Sequence, residues 1–159
     1  MPAPEPLDNP GIHFPPPFIY AAGMVVGWLI NRVRPWPLTG YPSVPRFALA
    51  VVCGIVGLLL AGAALNVFRR EHTTIIPNRS ASALATTGIY TRTRNPMYLS
   101  LAILYIAVAL ALDSWWSLLL LPVVVVIVDR WVIAREERYL TRAFPHDYDE
   151  YRRTVRRWL

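Results

Sequence analysis

The chain alternates long apolar runs with short polar breaks, and the lengths of the runs predict its elements. Residues 18–33 form the first run, closed by Asn31-Arg32-Val33-Arg34. It predicts a helix that is short for a bilayer span, with Tyr20 and Trp28 suited to the two interfaces; a re-entrant segment is the alternative. Pro35, Pro37, Pro42 and Pro45 mark 34–46 as a connecting loop. Residues 47–68 are the clearest span, uncharged and ended by Arg69-Arg70-Glu71, with Gly54, Gly57, Ala61, Gly62 and Ala64 permitting close helix packing. The runs 97–112 and 115–128 flank Asp113-Ser114. That spacing predicts a tight helical hairpin with its tip at the dipeptide and a kink at Pro122. From Asp129 the chain turns polar and predicts a helical tail to Leu159. On that tail Leu140, Phe144, Tyr148, Tyr151 and Val155 recur at intervals of four and three as one apolar face, interrupted at Pro145. Residues 1–17 are proline-rich and carry Glu5 and Asp8 but no basic residue, which predicts an irregular tail at the membrane surface rather than a signal peptide.

The expected architecture is a single domain, 1–159, of the all-α integral membrane class. It has about four transmembrane helices, the last two a hairpin, and a cytoplasmic C-terminal helical tail. Composition agrees: 55% of the 159 residues are hydrophobic and 16% are charged, too apolar a balance for a typical soluble domain. All 16 basic residues are arginine, and the net charge is +6. Half of them follow Asp129, beside a bilayer-length apolar stretch. That is the pattern of cytoplasmic flanks facing membrane lipids, so no nucleic-acid partner is expected. Segment 69–96 and the tail are both arginine-rich while the hairpin tip has none, which puts both polar segments in the cytoplasm. The N-terminus joins them if the first run spans. Arg32, Arg34 and Arg46 then fall on the outer side, which counts against a full first span. Cys53 is the lone cysteine, and His13, His72 and His146 lack metal-ligand spacing, so neither a disulfide framework nor a metal site is expected.

Candidate chemistry gathers in 84–98, a polar stretch between apolar runs. Asn95-Pro96 biases position 95 away from α geometry, and Pro96 suits the first turn of a new helix. Free N–H groups there favour a carboxylate, with Arg94, Tyr90 and Tyr98 around the same point. An ordinary interfacial loop anchored by Arg and Tyr fits the stretch equally well. Glu136 and Glu137 follow the last span; they fit either solvated partners of nearby arginines or the closing wall of a polar pocket begun by 84–98.

Gly88-x-Tyr90-x-x-x-Arg94-Asn95-Pro96-x-Tyr98, an apolar hairpin, Glu136-Glu137-x-x-Leu140, Phe144 and Tyr148-x-x-Tyr151 occur in that order. Over about 68–159 the chain resembles the isoprenylcysteine carboxyl methyltransferase family and, more broadly, the membrane methyltransferases that include phospholipid N-methyltransferases. The resemblance implies S-adenosylmethionine bound at the cytoplasmic face and a lipophilic substrate, small or lipid-linked, admitted from the bilayer. It implies cofactor contacts at Ser82, Ala83, Leu84, Ala85, Tyr90, Asn95, Pro96, Met97, Tyr98 and Glu136, and catalytic candidates Arg94, Asn95, Glu136 and Glu137. The chain departs from the family in two places. Asn95 stands where histidine is usual and cannot titrate near neutral pH. Val132 stands where the eukaryotic enzymes carry a substrate-holding arginine, and Arg130 and Arg135 are out of register with it.

The implied mechanism is in-line transfer, in which the protein positions cofactor and nucleophile and excludes water. A carboxylate or thiolate acceptor needs no strong base, whereas an amine needs Glu136, Glu137 or a tyrosine. Phe68 and His72-Thr73 are further candidates to shape the pocket, or interface anchors. Prenylated protein tails, free prenyl thiols, phospholipid amines and small hydrophobic acids all fit as acceptors. The short, arginine-only chain suggests a bacterial or archaeal inner or plasma membrane. Two other readings are a nicotinamide-dependent membrane reductase of the sterol-reductase type, although no G-x-G-x-x-G is present, and a non-catalytic scaffold that kept the fold.

Overall fold

The computed structural model describes residues 15–70 and 84–158, and among them every regular element is helical. Helix α1 (Pro16–Val33) begins with proline in its first turn, where the missing N–H has no intrahelical role and φ is already helical. It packs on α4 (Trp115–Ile127) at Gly27, where a Cβ would lie 2.7 Å from the Ser117 Cα, so only glycine allows this approach. Helix α2 (Val44–Arg70) packs on α3 (Pro96–Ala111). Its buried stripe is Arg46, Ala50, Gly57, Ala64 and Val67, and a Cβ on Gly57 would meet the Leu104 side chain at 2.7 Å. Gly62 faces open space and has no part in the packing.

The helix that starts as α4 continues through a π-helical turn (Val128–Ile133) into α5 (Ala134–Ala143). Among the described residues two helices are long and apolar enough to cross a bilayer alone, Val44–Arg70 and Trp115–Ala143, while α3 has 16 residues and α1 has 18. Large apolar side chains such as Leu49, Val52, Ile55 and Leu59 on α2 and Leu119, Val123 and Val126 on α4 are exposed, the surface a bilayer would cover.

The expected hairpin is present, with α3 and α4 joined at 112–114. Asp113 takes φ 53°, a left-handed conformation that Asp tolerates, and accepts hydrogen bonds from the backbone N–H groups of Thr39 (2.9 Å) and Gly40 (3.2 Å). Arg46 lies at this same hairpin tip and is buried. It donates to the Leu110 and Ala111 carbonyls and pairs with Asp113 at 3.5 Å. Despite the cost of burial, bonds from the Thr39 backbone, the Arg46 charge and the Gly40 N–H hold the Asp113 carboxyl below its ordinary range. One of the three arginines that argued against a full first span is thus neutralised. Trp36 packs on Trp115 and Trp116, giving this end an aromatic belt.

Two features interrupt the α-helical second half of the chain. The helix runs through Pro122, and a π-turn that the apolar pattern does not announce follows at Val128–Ile133. The tail divides at Pro145 as expected, but its helix ends at Thr154 rather than running to Leu159. Pro145 lacks an N–H and keeps Phe144 out of α geometry, so α5 stops, α6 (Pro145–Thr154) restarts, and 155–158 is non-helical. The expected apolar face survives this break. Tyr148 and Tyr151 are buried in one cluster with Ala64, Val67, Ala85 and Tyr90, and Leu140, Phe144 and Val155 pack around it.

Candidate active site

The loop before α3 is held by its own turn and by the end of the chain. Gly88 adopts φ +58°, which opens the 3-10 turn Gly88–Thr91, and a Cβ there would come within 2.9 Å of the Val67 side chain. Tyr90 is buried edge-on to Phe68 at 5.6 Å, and its carbonyl accepts from the Tyr151 hydroxyl at 2.7 Å. Asn95 stands at the N-cap of α3 but makes no side-chain cap; its amide donates to the Arg157 carbonyl at 2.9 Å. The Thr93 hydroxyl donates to that same carbonyl at 3.2 Å, and the Arg94 N–H donates to the Arg156 carbonyl at 3.0 Å. The last described residues therefore strap the loop down.

The π-turn sets the direction in which the two glutamates face. Exposed positions along the long helix fall at Leu119, Val123, Val126, Arg130, Arg135, Arg138 and Arg142. At 100° per residue, Arg135, Arg138 and Arg142 fall about one residue out of phase with Leu119, Val123, Val126 and Arg130, and the shift lies at the π-turn, where Trp131 is exposed as well. Val128, Val132 and Ile133 are the buried residues of this turn. An uninterrupted α-helix would turn Arg135 inward and swing Glu136 to the flank. The wider turn instead puts Glu136 and Glu137 on the side of the loop.

Glu136 accepts a 2.6 Å hydrogen bond from the Tyr98 hydroxyl, and the Tyr98 carbonyl in turn accepts from the Tyr20 hydroxyl at 3.1 Å. Glu137 is the hub of an ion-pair network. Arg94 reaches it at 3.0 Å and also donates to the Tyr148 hydroxyl at 3.0 Å. Arg157 grips both oxygens of Glu137 and reaches Asp129 at 3.2 Å, while the Trp158 indole donates to Asp129 at 3.1 Å. Glu136 is half-buried and lies beyond the apolar part of its helix, with its carboxylate on Tyr98 and its neighbour Glu137 beside it. Burial pushes that carboxyl up to about 7, against the Tyr98 hydrogen bond and with the help of the Glu137 charge. Burial, and then Glu137, push the Tyr148 phenol up, so it stays neutral.

Of the residues singled out from the sequence, Arg94, Tyr98, Glu136 and Glu137 come together here. Leu84, Ala85, Tyr90 and Met97 line the neighbouring apolar cluster, and Pro96 is buried in the first turn of α3. Ser82, Ala83 and His72-Thr73 lie outside the described residues. Val132 is buried in the core beside Val128 and Ile133, so it presents nothing to the site, and the Arg130 side chain is 78% exposed. Sequence reasoning missed Asp129, Thr93, Arg157 and Trp158. No local pattern singles out one arginine near the terminus among several, and only the phase shift between Arg130 and Arg135 betrays the π-turn. Among the described residues no group of His, Cys, Asp and Glu is placed to hold a metal ion.

An uncharacterized protein of Haemophilus influenzae is 38% identical over 63 residues, which is 40% of this chain and the whole of that protein. No solved structure matches the chain significantly. The phospholipid methyltransferase family matches residues 45–147, a stretch that takes in α2, the loop, the hairpin and both glutamates. By that match, and with an apolar helical body ending in this polar cluster, the chain belongs to the phospholipid methyltransferase family of membrane methyltransferases.

Proposed function

We propose that the protein transfers a methyl group from S-adenosylmethionine to a lipophilic acceptor at the cytoplasmic face of a membrane. The observation that carries this reading is Glu136. Among the described residues it has a tyrosine hydroxyl but no cation for a partner, although two arginines lie close by on Glu137. A cationic ligand suits that carboxylate, and S-adenosylmethionine supplies an activated methyl on a sulfonium.

Glu136 and Tyr98 would hold the cationic part of the cofactor, with the Tyr98 hydroxyl fixing the carboxylate. The first turn of α3 offers N–H groups to an acidic group. Leu84, Ala85, Tyr90 and Met97 would give the base of the cofactor an apolar wall that excludes water. Arg94 and Glu137 would act by positioning, since each is already bonded to the other. Asn95 cannot move a proton, and its amide is engaged with the Arg157 carbonyl, which fits an orienting role.

Family membership favours an acceptor carried by a lipid, and the apolar helices would bring it laterally to the site. A carboxylate or thiolate acceptor needs no base. For an amine acceptor, the Glu136 carboxylate, about half ionised near pH 7, is the group able to take the proton. The cytoplasmic orientation is supported by the arginines that crowd this end of the helices.

The test is calorimetric titration of the purified protein with S-adenosylmethionine, beside Tyr98→Phe and Glu136→Gln. Saturable binding weakened by both substitutions is expected. A folded sample that binds no S-adenosylmethionine overturns the reading, and binding of NADPH by that sample would point to a reductase instead.

A further inference from the structure

The site holds three carboxylates, Asp129, Glu136 and Glu137, within one stretch of helix, and Arg157 reaches two of them. Its guanidinium makes a fork on Glu137 and extends its remaining nitrogen to Asp129. Such a fork fixes the plane of the carboxylate as well as neutralising it. The backbone of the same residue accepts from Asn95 and Thr93, so the guanidinium is delivered from a strap tied to the loop rather than from a free end. Trp158 anchors the strap on the other side, with its ring against the core and its N–H on Asp129.

We propose that Arg157 is a positioning residue that sorts the charges of the site: by occupying Glu137 and Asp129 it leaves Glu136 as the carboxylate available to a cationic ligand. This rests on the methyltransferase reading for the identity of the ligand, but not for the sorting itself. The groups facing Glu136 are Tyr98 from α3 and Glu137 from its own helix, with Arg94, Tyr148 and Asp129 around Glu137. Arg94 meets Glu137 through a single nitrogen and shares that nitrogen with Tyr148. Without Arg157, Glu137 would therefore keep one weak hold and turn its charge on Glu136. The strap survives a side-chain substitution, because its ties to the loop use the backbone carbonyls of Arg156 and Arg157.

The experiment follows the carboxyl band of Glu136 by infrared spectroscopy as a function of pH in detergent-purified full-length protein, with the band assigned by its loss in Glu136→Gln. Arg157→Ala should raise the titration midpoint by about one pH unit, and Arg157→Lys, which keeps the charge and loses the fork, by less. Removing the Glu137 charge as well, in Arg157→Ala/Glu137→Gln, should return the midpoint to the wild-type value. A midpoint unmoved in both single variants, whatever happens to thermal stability, overturns the proposal and leaves Arg157 a structural clamp. If Arg157→Ala does not fold, the comparison of Arg157→Lys with the wild type decides the matter alone. The same samples are titrated with S-adenosylmethionine. Wild-type protein that does not bind it counts against the methyltransferase reading and leaves the infrared result standing.

Discussion

Removing and adding a residue at the π-turn should have opposite consequences. The exposed stripe Leu119, Val123, Val126 and Arg130 resumes at Arg135, Arg138 and Arg142 one residue out of α phase, a five-residue step from Arg130 to Arg135 with Trp131 inside it. Deleting Trp131, which is 69% exposed, reduces that step to four. The turn can then close as ordinary α-helix with Glu136 still facing Tyr98. Inserting an alanine after Trp131 widens the step to six, and the residues beyond it rotate by about 100°. A carboxylate standing about 6 Å from the axis is then carried about 9 Å, far beyond reach of the Tyr98 hydroxyl. Loss of that one charge-assisted bond is worth about 1.5–3 kcal/mol, or roughly tenfold to a hundredfold in affinity, before the Glu137 network is counted. Calorimetry with S-adenosylmethionine, paired with thermal unfolding, reads both variants. The deletion should bind within about threefold of wild type, and the insertion should lose at least the affinity carried by that one bond. Equal damage from the two would refute the claim that the π-turn sets the register of the glutamates.

Affinity for S-adenosylmethionine should rise about tenfold from pH 6 to pH 8, as Glu136 ionises around its raised value of about 7, and Glu136→Gln should flatten the profile; a flat wild-type profile would contradict the assignment. The folded chain holds this proton more tightly than the unfolded one, so the contribution of Glu136 to stability is full below about 4.5 and lost as pH rises towards about 7. Thermal unfolding of the ligand-free protein across that window, compared with Glu136→Gln, checks the sign. Gly57→Leu should cost about 1–3 kcal/mol by forcing α2 away from Leu104, whereas Gly62→Leu, facing open space, should leave the melting temperature unchanged. Gly88→Ala should cost about 1–2 kcal/mol, since it puts a Cβ at φ +58° and against Val67. An unaltered melting temperature in Gly88→Ala would mean that the turn re-forms without its left-handed residue.

The helices were legible because each is an apolar run bounded by charge or proline. The run 47–68 extends to Val44–Arg70, and Asp113-Ser114 marks the hairpin tip. The loop and the paired glutamates were legible as motifs, because tyrosines, an arginine and Asn-Pro are conspicuous between apolar stretches. Register was not. A π-turn adds a residue without changing composition, so a reader who assumes uniform helix would turn Arg135 inward and Glu136 aside. Long-range pairing was not legible either. Asp129 reads as the first polar residue after a span, yet it accepts from Arg157 and Trp158 at the far end of the chain. Nothing in the sequence pairs Arg46 with Asp113, on which it is buried, because the partner comes from a hairpin tip distant in sequence.

The loop of the site has no long element of its own, and this determines how the residues that hold it should respond to substitution. The loop contributes one short turn, and it is fixed from outside by Tyr151 on Tyr90, by Arg157 on Thr93 and Asn95, and by Glu137 on Arg94. Glu137 shares its oxygens between Arg94 and Arg157, and Arg94 shares one nitrogen between Glu137 and Tyr148. Groups that share atoms in this way cannot contribute independently. Once Glu137 is lost, both arginines have already lost their common partner, so removing either of them as well should cost much less than it does in the intact protein. A double-mutant cycle on Arg94→Ala and Glu137→Gln should therefore give a coupling of about 0.5–3 kcal/mol in thermal stability. Additive effects would mean that the loop is held by its backbone ties to 156–157 and Tyr151, with the ion pairs serving only to set charge.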